Sequence, residues 1–132
     1  MALLEGNRWE NTLAQSDGGV DFLHNIIVRI LLTLSFLPIV ICLGTLFYFV
    51  RPGETSLILH YNVYFGVDLL GIWWQAYLLP VLGILFFLGH FLLAWRFYNL
   101  TERIACYLML LSAGMLSSGI LIAGVSIAFI NY

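Results

Sequence analysis

Three apolar runs, residues 26–50, 72–98 and 104–130, dominate the chain, and each exceeds the roughly 20 residues an α-helix needs to cross about 30 Å of hydrocarbon. Hydrocarbon offers backbone N–H and C=O groups no partner, so such runs must satisfy themselves internally as helices. Composition agrees: 62% of the 132 residues are hydrophobic and 9% charged, against about a quarter charged in soluble domains. The predicted fold class is an all-α membrane protein of three transmembrane helices, with one short extended strand in the 55–71 loop. Residues 1–25 form a polar amino-terminal segment, and 26–132 form the membrane domain, including the loop 51–71.

The punctuation between the runs supports this division. In the first segment Leu3, Leu4, Trp9 and Leu13 are weakly amphipathic, which suits a short interfacial helix or disorder equally. Ser16, Asp17, Gly18 and Gly19 break any such helix, and Asp21 is the expected N-cap of the first span. That span is too long for a signal-peptide core and has no small-residue cleavage site after it, so the start is expected to be retained. Arg29 can snorkel from its first turn, Pro38 should bend it, and Arg51, Pro52 and Gly53 stop it. Trp73, Trp74 and Tyr77 at one end of the second span, and Trp95, Phe97 and Tyr98 at the other, are the aromatic anchors of two interfaces. The short connection 99–103 makes the second and third spans an antiparallel hairpin. Arginine counting places Arg8, Arg29, Arg96 and Arg103 inside and Arg51 outside. The expected localisation is thus the cytoplasmic membrane, multi-pass, with the amino terminus inside and the 55–71 loop and Tyr132 outside.

Several function classes fall away. Lysine is absent, and five arginines against seven acids give a net charge of −2, so no basic patch exists for nucleic acid. Cys42 and Cys106 lie inside apolar runs at different depths, which disfavours a disulfide. There is no nucleophile elbow, P-loop, dinucleotide fingerprint or complete metal-ligand set, so neither an enzyme nor a cofactor or metal is expected.

Lipid supplies no hydrophobic drive between helices, so small residues should mark where backbones approach. Ala105, Ser112, Gly119 and Ser126 recur every seven residues in the third span, with Ala123 four after Gly119. Ala76, Gly83 and His90 are likewise seven apart in the second, so the two rows are expected to face each other. At about 1.5 Å per residue, His90 and Ser112 lie roughly 12 Å from the inner ends of their helices. Thr33 and Ser35 reach a similar depth, which predicts one polar cluster of Thr33, Ser35, His90 and Ser112. An ionisable group inside a membrane suggests proton or ion handling, in a small oligomeric transporter or channel. No Asp, Glu or Lys accompanies His90 within the spans, so a neutral imidazole bonded to Ser112 as interhelical glue is the favoured reading.

The loop TSLILHYNVYFGVDLLG holds the densest polar chemistry. Leu57, Leu59, Tyr61, Val63, Phe65, Val67 and Leu69 take odd positions, and Ser56, His60, Asn62, Tyr64 and Asp68 even ones, with Ile58 and Leu70 the exceptions. Period two predicts a strand with an apolar face, lying on the bilayer or on the helix tops. No second strand is expected, so its edge must be hydrated, pair with a symmetry mate or accept another protein's strand. His60 and Asp68 are two potential metal ligands without a third, and Asn62, Gly66 and Asp68 are expected to fix the turn.

The run LILHYNVYFGVDLLGIWWQ resembles small uncharacterised membrane proteins of bacteria, notably of candidate phyla, whose loops follow LPLHYNxYFGxDxxGPW. The similarity covers residues 57–132, the first span also fits, and the two prolines of that pattern are lacking here. The order of His60, Tyr61, Asn62, Gly66 and Asp68 is more loosely similar to a domain of unknown function in membrane proteins of toxin immunity and signalling. That looser likeness implies an immunity or signalling role; the closer one implies no activity. The leading expectation is a non-enzymatic protein whose outer loop recognises a partner, either a second copy or another membrane or envelope component.

Overall fold

The computed structural model describes residues 20–53 and 56–132. The expectations for residues 1–19, including the interfacial helix, the break at Ser16–Gly19 and the placement of Arg8, lie outside the described residues. Three long helices, α1 (Ile26–Phe49), α2 (Leu78–Asn99) and α3 (Arg103–Ile130), carry the chain. All three spans are long and apolar enough to cross a membrane, the second when its entry turn at Trp73–Tyr77 is included. Only 22%, 17% and 28% of their most apolar stretches are buried, so the exterior is as greasy as the interior. A soluble monomer rarely exposes apolar surface on that scale.

A 3₁₀ turn, Phe22–His24, precedes α1. The N-cap of α1 is Asn25, not Asp21: its Oδ1 accepts the N–H groups of Ile27 and Val28 at 2.9 and 3.4 Å. Asp21 instead closes the 3₁₀ turn with its backbone carbonyl. The second span also enters through a 3₁₀ turn, Trp73–Tyr77, before α2 begins at Leu78. Pro80 explains the change, since a proline lacking N–H is tolerated in the first turn of an α-helix and disrupts its interior. Between α2 and α3 the chain reverses through Thr101, at φ 65°. Thr101 N–H bonds the carbonyl of Tyr98 and Glu102 N–H that of Phe97, which is the Schellman closure of a helix end.

Helix α3 is the centre, packing along both α1 and α2 while those two meet only slightly. Its buried residues are Cys106, Leu110, Ala113, Ser117, Gly124, Ile127 and Ala128, spaced three, four or seven apart except at the last. The expected row is therefore displaced by one position: Gly119 and Ser126 are exposed, and Ala105, Ser112 and Ala123 are half-buried. Neighbouring positions on a helix differ by about 100°, so counting small residues located the right helix but the wrong stripe. In the second span Ala76 and Gly83 are buried, with Gly83 set against Ile39 of α1 and Ile120 of α3.

Two apolar clusters hold the ends together. Phe22, Val28, Ala94, Tyr98, Cys106 and Leu110 meet near the α2–α3 connection. Cys42, Leu46, Val50, Ala76 and Ile127 meet at the other end. Above this second cluster lies, among the described residues, the one departure from an all-α fold, an antiparallel pair of strands, β1 (Leu57–Asn62) and β2 (Gly66–Gly71).

Candidate functional site

The 55–71 loop was expected to hold one unpaired strand; its second half turns back and pairs with the first. Leu57 faces Gly71, Tyr61 faces Val67 and Asn62 faces Gly66. Alternation alone reads Leu57–Leu69 as one strand, and the reversal is coded in two residues. Asn62 Oδ1 accepts Tyr64 N–H at 2.9 Å, and Gly66 takes φ +78°, a conformation that a β-carbon would strain. Both had been expected to fix a turn; Asp68 does something else.

Asp68 Oδ1 lies 2.7 Å from His60 Nδ1 across the strands. Register irregularities flank His60 on both sides, as bulges do where a side chain is re-aimed. The two side chains are 61% and 43% exposed, so their attraction contributes at most about 1 kcal/mol. Among the described residues no group of three metal-ligating side chains occurs.

The base of the hairpin is fixed to the bundle. Leu57 and Leu59 pack on the cluster around Leu46 and Ile127, which answers whether the apolar face meets helices. Asn131, just past the end of α3, behaves as a short piece of strand. Its Oδ1 accepts Ile58 N–H at 2.8 Å, and its Nδ2 donates to Ile58 O at 2.7 Å and to Ile127 O at 2.8 Å. At the exit, Gln75 Oε1 accepts Ile72 N–H at 2.9 Å, and a β-carbon on Gly71 would collide with Gln75 and Leu59. The Tyr77 hydroxyl lies within donating distance of the carbonyls of Leu46, which already accepts Val50 N–H, and of Val50, and so ties the second span to the end of α1. The tip is the opposite case: Val63, Tyr64 and Phe65 are 85%, 90% and 85% exposed.

The predicted intramembrane cluster does not form as a hydrogen-bonded group. Thr33 bonds Arg29 O, Ser112 bonds Met109 O, and His90 Nδ1 meets Phe86 O at 2.8 Å, each within its own helix. A hydroxyl or imidazole can reach back one turn to a carbonyl, so depth alone does not join side chains across helices. Ser35 is the exception, donating to Leu31 O and across to Leu110 O at 2.8 Å. It ties α1 to α3 where Gly114 lets them approach.

Sequence reasoning passed over a second polar site at the opposite end. Asn25 Nδ2 donates to the hydroxyls of Tyr98 and Tyr107, at 3.3 and 3.1 Å, joining all three helices. The Arg103 guanidinium sits 3.6 Å from the Tyr98 ring centroid, a cation–π contact. An asparagine immediately before an apolar run signals the N-cap, and nothing local signals its two tyrosine partners.

Comparison of the chain with family profiles, with curated proteins and with solved structures finds no match.

Proposed function

We propose that this is a non-enzymatic multi-pass protein of a bacterial cytoplasmic membrane that recognises a second membrane or envelope protein through its β-hairpin. The observation that carries the reading is the contrast within the hairpin. Its base is held by Asn131, Leu57 and Leu59, while three consecutive large apolar residues, Val63, Tyr64 and Phe65, stand exposed at its tip. A rigid mount with an aromatic tip resembles the anchors that dominate protein interfaces. Arg29, Arg96 and Arg103 at one end of the bundle, and Arg51 at the other, favour the hairpin outside.

The test uses single cysteines at Asn62 or Tyr64, because the native Cys42 and Cys106 are buried. Crosslinking in native membranes is expected to capture one specific protein neighbour. Reaction with water and lipid alone would overturn the reading, and capture only of a second copy would replace it with self-assembly. An impermeant maleimide should label Tyr64→Cys on intact cells; protection would reverse the orientation.

Conduction through His90 ranks second, since its Nδ1 is engaged by Phe86 O and no acid or lysine lies in the spans. Liposomes containing the protein are expected to show no proton flux above empty ones. A flux abolished by His90→Asn would restore that alternative.

A further inference from the structure

Beneath the hairpin, between its underside and the adjoining faces of α2 and α3, lies a cleft of about 570 Å³. Its walls are mostly aliphatic, from Leu59 and Leu69 of the hairpin, Leu82 of α2 and Ile130 of α3, and its polar side chains are His60, Tyr61, Gln75 and Ser126. We infer that this cleft binds the acyl chain of a membrane lipid, with the polar end of that lipid beside His60 and Gln75. The inference stands on the cleft and on the apolar spans, independently of what meets the hairpin tip.

Three observations point to an acyl chain. The volume falls within the range of small-molecule sites, about 300–1,000 Å³. Its lower wall belongs to helices long and apolar enough to cross a membrane, and Leu78, Leu82 and Ile130 are each 40% or more exposed there. The surrounding solvent at that depth would itself be lipid. Lastly, polarity is graded. Its lining runs about 6 Å along α2, from Leu78 to Leu82, and about 10 Å along α3, from Ile130 to Ala123. The ionisable side chains lining it, His60 and Tyr61, are both on the hairpin, where Asp68 holds His60 Nδ1 and leaves Nε2 for a headgroup. Ser126 Oγ is already satisfied by Ile122 O, so the deeper wall makes no demand for a polar ligand. An amphiphile with one polar end and a flexible aliphatic body matches that gradient; a uniformly polar solute does not.

The full chain would be reconstituted into phosphatidylcholine vesicles doped with phosphatidylcholine carrying a photoreactive diazirine in its acyl chain. After illumination, adducts would be mapped by mass spectrometry. They should concentrate on Leu78, Leu82, Ser126 and Ile130, at roughly tenfold the yield on Ile30 and Leu85, which are comparably exposed on the spans but outside the cleft. Ser126→Trp, which fills the cleft from an exposed position, should remove most of that excess, whereas Leu85→Trp should not. Excess unlabelled fatty acid should compete the cleft adducts of the unmodified chain and spare those at Leu85, a result independent of any variant's folding. Uniform labelling of all faces, or a cleft signal indifferent to both Ser126→Trp and competitor, would overturn the inference. So would protein–protein adducts from the cleft in place of lipid.

Discussion

Thr101 and Asn131 are the two residues whose local geometry asks most of the chain. A β-branched residue in the left-handed region is unfavourable by about 1–2 kcal/mol, and Thr101 sits there because the α2–α3 reversal requires it. Thr101→Gly is therefore expected to stabilise the protein by about 1 kcal/mol, even though it gives up the Thr101 hydroxyl contact with Leu100 O. Thermal unfolding in detergent would check the direction. Asn131→Ala removes both partners of Ile58, so local protection of β1 should fall by about 1–3 kcal/mol, read as faster amide exchange at Ile58. At this scale the sequence was a partial guide. Asn62 and Gly66 could be read as turn formers from residue type alone, because their conformational preferences are local. The work of Asn25, Asn131 and Tyr77 could not, since each meets partners more than 25 positions away.

The elements were more legible than their edges and faces. Apolar runs longer than the bilayer thickness located all three spans to within about two residues, because length and hydrophobicity alone decide them. Which stripe of α3 turns inward was not legible, since buried Ser117 is the neighbour of exposed Ser118, and buried Gly124 lies five residues from exposed Gly119, and within each pair the residues are chemically identical. The β-hairpin was half legible: period two revealed extended backbone, but register irregularities around His60 and Asp68 hid the reversal. The exposed His60–Asp68 pair predicts a small effect. Asp68→Asn should change global stability by less than about 1 kcal/mol and leave the spans intact, with any loss confined to hydrogen-exchange protection of β1 and β2. Unfolding of the helices in that variant would show the hairpin to be integral to the bundle and not an attachment to it.

For the whole molecule, α3 is the spine, and it lies close against α1 at Gly124, where a β-carbon would collide with Cys42 Sγ. Gly119, only five residues away, has open space around it. Gly124→Leu is therefore expected to push the two helices apart and destabilise the fold by about 1–3 kcal/mol, while Gly119→Leu should be close to neutral. Unfolding midpoints of the two variants in the same detergent would separate them; equal losses would contradict the one-position displacement of the packing stripe. The tie between Asn131 and Ile58 also imposes a timetable. Synthesis delivers Ile58 soon after the first span and Asn131 only after the third, so the hairpin emerges well before the amide that anchors it exists. Through that interval a ribosome-bound chain holds an aromatic loop without its Asn131 tether, and the tie to Ile58 can close only once α3 has been made.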